Sequence, residues 1–210
     1  MQPARPAPVS PRRFTRELAT SDGWKLKADL LLVDEPVGAA VLCHPHPLHG
    51  GTREHPLMTA SAERLVEVAH DSIRFDFRRD RADVISEVPD LIAASDLIRS
   101  TSGVASLTLI GYSFGALVTL AAAPRVAPHK LILVAPPLAA ATALPAPAVP
   151  TTVIVGRHDQ YCNPDELAQT EFGYSSTVVV IEGTDHFLHG HIDQVTSTML
   201  SAVSSHEERS

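Results

Sequence analysis

The segment SLTLIGYSFGALVTLAAA, residues 106–123, decides how this chain folds. Its first five residues form an apolar run typical of a buried strand, and its last ten residues are apolar at positions that share one face of a helix. Gly111 and Gly115 flank Ser113 at the junction, where larger side chains would collide across an abrupt turn. The segment therefore predicts a strand that turns directly into a helix, with Ser113 on the turn.

The alternation of strand and helix continues along most of the chain. Apolar runs that predict strands lie at residues 25–33, 39–43, 72–77, 106–111, 130–135, 151–155 and 177–181. Apolar residues at helical spacing occur within residues 58–69, 88–98, 114–122 and 192–203. This pattern predicts an α/β fold, with a mostly parallel central sheet of about seven strands and helices on both faces. Residues 138–150, rich in alanine and proline, are predicted to be a linker that leaves no room for a sizeable lid.

The length of 210 residues fits a single domain. We expect this domain to span residues 14–204, after a flexible tail rich in proline and arginine at residues 1–13 and before a frayed tail at residues 205–210. The N-terminal residues lack the apolar run of a signal peptide, and no run of 18 apolar residues occurs that would span a bilayer. These observations predict a cytoplasmic protein without a membrane partner.

Charge and cysteine content narrow the classes of partner. A net charge of −7 without a basic stripe works against binding of nucleic acid. The two cysteines, Cys43 and Cys162, are far apart in the sequence and do not form a metal-type pair. We therefore expect a small-molecule partner and no nucleic acid. The composition leaves open whether the protein is a monomer or a homodimer.

Ser113 lies where an abrupt turn would project a catalytic hydroxyl above the sheet. A serine hydroxyl is a poor nucleophile at neutral pH and needs an imidazole that a carboxylate orients. Asp159 follows the strand predicted at residues 151–155, and His186 follows the strand predicted at residues 177–181. Because the carboxyl ends of parallel strands meet at one edge of a sheet, these side chains are predicted to lie together. Ser113, Asp159 and His186 are thus the candidate catalytic set.

Other roles are open to these residues and to their neighbours. The alternative without a catalytic role is an ordinary turn in which Ser113 only caps the helix that follows. Asp165 is a second candidate acid, but it is expected to cap a later helix. Asp185 directly precedes His186, which is a poor position for orienting the imidazole ring.

The segment CHPHPLHGG, residues 43–51, is predicted to complete the site. A tetrahedral intermediate needs two N–H donors, one from the residue after the nucleophile and one from the loop after the third strand of such a fold. Phe114 supplies the first donor. In the loop, the two prolines have no N–H to give, so His46 is the predicted second donor of the oxyanion hole and Leu48 is the alternative.

The histidines of two loops also permit a different interpretation, a metal site, because imidazole is a common ligand of zinc. The residues concerned are His44, His46 and His49 together with His186, His189 and His191. The prolines restrict how the first three could converge, and no His-Glu-x-x-His helix is present. Nucleotide-binding glycine motifs are absent as well, so we expect no metal and no cofactor. The last two histidines are then surface or helix-end residues.

Four segments together resemble a known family. They are HPHPLHGG at residues 44–51, GYSFGA at 111–116, LILVAPP at 131–137 and DHFLHG at 185–190. The chain is similar, over about residues 20–203, to the compact bacterial α/β-hydrolases related to dienelactone hydrolase. The resemblance implies a lidless serine esterase, with Ser113, Asp159 and His186 as its triad, that acts on small carboxylic esters or thioesters.

One loop departs from that family. After FDFR at residues 75–78, relatives tend to carry a glycine-rich Arg-Gly-x-Gly-x-Ser turn, whereas RDRAD follows here at residues 79–83. If this charged loop borders the cleft, Arg79 or Arg81 would favour an acidic substrate. The alternative interpretation is a solvated loop with local ion pairs.

Three hypotheses of function follow. The first is a serine hydrolase that transfers an acyl group from a small ester or thioester to Ser113 and then to water. The second is a binding or scaffold protein that keeps the fold with a silent triad, since fold alone does not prove activity. The third is a metal-dependent hydrolase built from the histidines. Pocket walls come from several loops, so the sequence leaves the length of the acyl group open.

Overall fold

An eight-stranded sheet forms the centre of the molecule, here a computed structural model that describes residues 11–174 and 176–205. The strands are β1 Arg12–Ala19, β2 Lys25–Leu32, β3 Gly38–Cys43, β4 His70–Phe75, β5 Leu107–Tyr112, β6 Lys130–Val134, β7 Thr151–Gly156 and β8 Thr177–Ile181. They lie in the order β1-β2-β4-β3-β5-β6-β7-β8. β2 is antiparallel to both of its neighbours, and all pairs from β4 to β8 are parallel. The prediction of an α/β fold with a mostly parallel sheet is confirmed.

Helices cover both faces of this sheet. They are α1 Pro56–Leu65, α2 Val88–Ser102, α3 Phe114–Val126, α4 Leu138–Ala141, α5 Pro164–Leu167, α6 Glu171–Tyr174 and α7 Ile192–Ser204. α2 and α3 pack together on one face, and α1 and α7 pack together on the other. None of the helices in the described ranges has the length and apolar composition needed to cross a membrane.

The central strands are buried on both faces, which explains their continuous apolar sequences. Every residue of β3, β5 and β6 is buried. Because successive side chains of a strand point to opposite faces, Leu109 joins the core beneath α2 and α3, whereas Ile110 joins the core beneath α1 and α7. These two cores hold the strands in register, with Cys43 at the end of β3 opposite Gly111 of β5.

The strand β1 is absent from the predicted strands, and it corrects the boundary of the N-terminal tail. It begins at Arg12, inside the predicted tail of residues 1–13, and it pairs along its whole length with β2. Only Leu18 of its eight residues is buried, because β1 is an edge strand whose arginines face solvent. Residues 1–10 and 206–210, which hold the rest of the two predicted tails, lie outside the described part of the chain.

No lid covers the C-terminal edge of the sheet in the part of the chain that the structure describes. The connection between β6 and β7 holds only the four-residue helix α4. The prediction of a linker over residues 138–150 therefore missed one turn of helix but was right about the lid. Residues from the loops after β3, β5, β7 and β8 line the open cavity described below.

A buried arginine fixes the loop that follows β4. The Arg78 guanidinium donates to the Asp90 carboxylate on α2 at 2.6 to 3.2 Å and to Asp22 in the β1–β2 turn at 2.6 and 3.0 Å. The Arg78 side chain is 5% exposed, and that of Asp90 is fully buried. Arg79 and Arg81 are exposed. The interpretation of a solvated loop at residues 79–83 fits these two exposed arginines, whereas Arg78, which precedes that loop, is buried.

Replacement of Asp90 by asparagine is expected to lower the free energy of unfolding by about 3 kcal/mol, because a buried guanidinium then loses one of its charged partners. The control is Glu63→Gln, which breaks an ion pair with Arg13 whose side chains are 42% and 57% exposed. That loss should stay below about 1 kcal/mol. Urea denaturation at neutral pH measures both, and equal losses would contradict the anchoring role of Arg78.

Candidate active site

The junction of β5 and α3 holds Ser113 in a strained backbone conformation. Its φ of 53° and ψ of −114° lie outside the regions that residues with a Cβ prefer. A Cβ on Gly111 would collide with the backbone of Gly115, and a Cβ on Gly115 would collide with the carbonyl of Cys43. The two glycines thus let α3 start directly above β5 and β3. The Ser113 N–H donates to the Val134 carbonyl at 2.8 Å, which fixes the turn at the sheet edge.

Ser113, His186 and Asp159 form one chain of hydrogen bonds. The Ser113 hydroxyl donates to Nε2 of His186 at 2.9 Å. Nδ1 of His186 donates to the two Asp159 carboxylate oxygens at 3.1 and 3.0 Å. The serine side chain makes no capping hydrogen bond to α3, so the alternative of an ordinary helix cap does not fit. The structure thus brings together the three residues that the order of the strands singled out.

The Asp159 carboxylate is held by further donors. The backbone N–H groups of Tyr161 and Cys162 donate to its Oδ1 at 2.8 and 2.9 Å. The Asp159 side chain is fully buried, and that of His186 is 8% exposed. A carboxylate shielded from water in this way stabilises a positive imidazole more strongly than an exposed one would.

Neither of the other candidate acids contacts the imidazole of this relay. Asp165 is 84% exposed and pairs with Arg157 at 3.3 Å. The prediction that Asp165 caps a helix is wrong, because Asn163 caps α5 and accepts the Asp165 N–H at 2.9 Å. Asp185 accepts the N–H of Phe187 at 3.0 Å and thereby shapes the loop instead of orienting the ring.

A tyrosine that the sequence did not single out positions the histidine loop. The Tyr112 hydroxyl donates to the backbone carbonyl of His186 at 2.9 Å. Burial raises the pKa of Tyr112 to about 12, so the hydroxyl keeps its proton and remains a donor at neutral pH. Tyr112 directly precedes Ser113. The same short segment therefore supplies the serine and the hydrogen bond that holds the loop of His186. No motif marks this residue, since its acceptor is a backbone atom 74 residues away.

In the loop after β3, the backbone N–H of His46 is free to bind an oxyanion, whereas that of Leu48 is occupied. The Leu48 N–H donates to Nδ1 of His46 at 3.3 Å, and two later N–H groups of the loop donate to the His46 carbonyl at 3.0 Å. The N–H groups of His46 and Phe114 have no acceptor among the described residues. Both residues line the same cavity as Ser113. Of the two loop donors considered from the sequence, only His46 is therefore available to an oxyanion.

His44 is a buried structural residue of this loop. Its Nδ1 donates to the Pro45 carbonyl at 2.6 Å, and its Nε2 accepts the N–H of Phe77 at 3.0 Å. The ring packs edge-on against Phe77, with centroids 4.8 Å apart. Burial lowers the pKa of His44 to about 4, so the ring is neutral at pH 7. His44 thus ties the start of the donor loop to the segment after β4.

The remaining histidines do not converge. In the described ranges, no group of three or more His, Cys, Asp or Glu residues is arranged to hold a metal ion. His46 and His49 stack on each other with centroids 4.3 Å apart, and Nδ1 of His191 donates to the His189 carbonyl at 2.9 Å. The metal site considered from the sequence has no geometric support here.

The relay opens into a cavity of about 550 Å³ at the C-terminal edge of the sheet. Ser113 and His186 line this cavity, as do His46 and Phe114. No Asp, Glu, Lys or Arg side chain of the described residues lines it. The two arginines of the charged loop after β4 lie outside its walls, so they give no support to an acidic substrate.

Comparison with family models shows the family to which the chain belongs. A model described as an alpha/beta hydrolase domain matches residues 39–204. The chain belongs to the alpha/beta hydrolase family. No curated protein gives a significant match to this α/β hydrolase.

Solved structures of bacterial hydrolases share its fold. XC6422 from Xanthomonas campestris, described as an α/β serine hydrolase without lid, is 29% identical, with a TM-score of 0.77 over 94% of this chain and 95% of that chain. An α/β serine hydrolase homologue from Coxiella burnetii is 25% identical, with a TM-score of 0.81 over 91% and 97% of the two chains. Dienelactone hydrolase from Anabaena variabilis is 21% identical, with a TM-score of 0.77 over 93% and 97%, and shows likeness of fold alone. The family inferred from the sequence is confirmed.

The neutral state of His44 makes the stability of this α/β hydrolase depend on pH. An unfolded histidine has a pKa of about 6.5, whereas burial lowers the pKa of folded His44 to about 4. Below about pH 6.5, His44 becomes protonated in the unfolded chain but stays neutral in the folded chain. The free energy of unfolding therefore falls as the pH decreases towards 4. This one residue should account for about 3 kcal/mol of that loss.

His44→Gln removes this titration and is expected to be less stable than the wild type at pH 7. The difference in free energy of unfolding between the two proteins should shrink as the pH is lowered from 7 to 4, because only the wild type loses the contribution of a neutral histidine. Urea denaturation at several pH values measures it. A difference that stays constant over this range would contradict the assignment.

Proposed function

We propose that this α/β hydrolase is a serine esterase that cleaves small carboxylic esters or thioesters. The observation that carries the proposal is the unbroken relay from the Ser113 hydroxyl through His186 to Asp159, which opens into an accessible cavity. A strained serine on a strand-to-helix turn with an imidazole partner is the arrangement that activates a hydroxyl for acyl transfer. No step of this chemistry needs a cofactor.

In the first half of the reaction, Ser113 takes the acyl group. Nε2 of His186 accepts the hydroxyl proton as Oγ forms a bond to the carbonyl carbon, and the carbonyl π electrons move to its oxygen. His186 then donates the proton to the leaving oxygen or sulfur as that bond breaks. Asp159 stabilises the imidazolium that forms and keeps the ring in the required tautomer.

In the second half, water releases the acid. A water molecule gives a proton to Nε2 of His186 and attacks the acyl carbon, after which the proton returns to Oγ of Ser113 as the acyl-enzyme bond breaks. The N–H groups of His46 and Phe114 hold the negative oxygen in both halves. Their preorganisation matters because fixed donors cost no reorientation when the charge develops.

Ser113→Ala is expected to abolish hydrolysis of p-nitrophenyl acetate, because no other hydroxyl occupies the end of the relay. Asp159→Asn should lower kcat by about 10⁴-fold, since an amide favours the wrong tautomer of His186. Both rates come from release of p-nitrophenolate, with circular dichroism to show that the variants are folded.

A fluorophosphonate probe provides an independent readout. The wild type should become labelled, whereas Ser113→Ala should not. A folded wild-type protein that neither reacts with the probe nor hydrolyses the acetate ester would favour the alternative of a binding or scaffold protein. If Ser113→Ala kept the wild-type activity, the proposed mechanism would be wrong.

The contribution of the proposed oxyanion donor, the His46 N–H, can be measured separately from that of the His46 side chain. His46→Pro removes the N–H, and the φ of −54° at this position is one that proline adopts. We expect kcat for p-nitrophenyl acetate to fall by about 10²- to 10³-fold. The matched control is His46→Ala, which removes the same imidazole but keeps the N–H and should retain most of kcat.

The comparison of these two variants decides the role of the backbone group. Both lose the hydrogen bond from Leu48 to Nδ1 of His46, so a difference between them reports on the N–H alone. Equal losses of kcat in His46→Pro and His46→Ala would show that the ring carries the effect, and the assignment of this donor would fail.

A further inference from the structure

Resting on the function proposed above, we infer that the acyl group accepted best is uncharged and aromatic, for example an arylalkanoyl group. The geometry of the cavity walls points to this substrate class. Two features carry it: several aromatic rings line the cavity, and no Asp, Glu, Lys or Arg side chain of the described residues does.

A row of aromatic rings runs from the core to the mouth of the cavity. Phe77 meets Phe114 edge-on with centroids 5.8 Å apart, and Phe114 meets His46 edge-on at 4.9 Å. His46 in turn stacks on His49 at 4.3 Å with an interplanar angle of 21°. Phe114, His46 and His49 line the cavity, and we call these three residues the ring wall. A planar aromatic group gains stacked and edge-on contacts here that a saturated group does not.

The chemistry of the leaving group decides which half of an ester faces the ring wall. His186 must protonate the leaving oxygen or sulfur, so the alcohol or thiol half lies beside the imidazole. The carbonyl oxygen lies at the N–H groups of His46 and Phe114, which are the first two residues of the ring wall. With the leaving group beside the imidazole, we assign the acyl chain to the part of the cavity lined by the ring wall and by the apolar Leu117.

The cavity lining offers no oppositely charged side chain to a charged acyl group. No carboxylate, ammonium or guanidinium group of the described residues lines the cavity. Burial lowers the pKa of His46 and of His55, which also lines the cavity, so both rings are neutral at pH 8. A carboxylate on the acyl group would lose hydration here without gaining an ion pair.

Two residues of the ring wall, His46 and Phe114, are held in place by the protein, and the exposed His49 stacks on His46. Nδ1 of His46 accepts the Leu48 N–H at 3.3 Å, and Phe114 is 5% exposed and packs on the buried Phe77. Rings that are fixed in advance lose little conformational entropy when a substrate packs on them. The preference for a planar acyl group is therefore built into the resting structure.

A different pair of rings lies on the side of the alcohol half. Tyr161 and Phe187 contact the His186 ring edge-on at 4.7 and 5.7 Å, yet they are 55% and 52% exposed. Both line the cavity at its rim. Because they belong to the side of the leaving group, they provide a control for the position of the acyl group.

Two methyl esters with the same reacting carbonyl test the preference. Methyl 3-phenylpropanoate and methyl 3-cyclohexylpropanoate differ only in whether the terminal ring is aromatic. We expect kcat/KM, measured by pH-stat titration of the released acid at about pH 8, to be about three- to tenfold higher for the phenyl ester. The analogue with a para carboxylate on the phenyl ring should react about tenfold more slowly than the phenyl ester.

Variants locate the aromatic group. His49→Leu replaces one ring of the ring wall by an apolar side chain and should bring the phenyl-to-cyclohexyl ratio close to one. The matched control is His129→Leu, because His129 is an exposed histidine that precedes β6 and lies outside the cavity, and it should keep the wild-type ratio. Phe187→Leu removes a ring on the side of the leaving group and should keep the ratio as well.

Each result bears on one part of the inference. A wild-type ratio of one or less, with p-nitrophenyl acetate still hydrolysed, overturns the aromatic preference and leaves the proposed esterase function intact. A ratio that is lost in Phe187→Leu but kept in His49→Leu overturns the assignment to the ring wall. Faster reaction of the carboxylate ester overturns the preference for uncharged groups. If the folded wild type hydrolyses none of these esters, the proposed esterase function itself is wrong.

Discussion

The backbone conformation at Ser113 is the constraint on which the rest of the site depends. A positive φ at a residue with a side chain costs about 1–3 kcal/mol, and packing around the turn must offset this cost. It does so because Gly115 lets α3 rest on the carbonyl at the end of β3, while Gly111 leaves room for the returning helix. The same turn leaves the Phe114 N–H at the start of α3 without an acceptor among the described residues. The strain at Ser113, the position of its hydroxyl at the cavity and the free N–H of Phe114 thus have one structural origin.

Hydrogen bonds between loops then bring the other groups to this turn. The Tyr112 hydroxyl holds the His186 carbonyl, the backbone after Asp159 holds its carboxylate, and His44 joins the donor loop to Phe77. Each of these bonds links segments that are adjacent at the sheet edge but distant in sequence. The site is therefore a property of the order of the strands, since the loops after β3, β5, β7 and β8 meet only because these strands are parallel.

This dependence explains what could be predicted from the sequence. Strands buried on both faces carry continuous apolar runs, so they were recognisable, and Asp159 and His186 could be placed by the strands before them. The edge strand β1 was missed because Leu18 is its only buried residue. The role of Tyr112 was hidden because its acceptor is a backbone carbonyl, and the burial of Arg78 was hidden because its carboxylate partners come from other elements. Such contacts leave no local pattern in the sequence.

The open edge of the sheet also has a consequence for the timing of the proposed reaction. Enzymes with mobile lids spend part of each cycle opening and closing, and these motions often limit turnover. In the described part of this chain only the one-turn helix α4 interrupts the connection between β6 and β7, so the proposed reaction would need no lid movement to admit substrate or release acid. If the proposed function holds, bond making and breaking at Ser113 would then limit turnover, and discrimination between substrates would depend on fixed walls instead of closure.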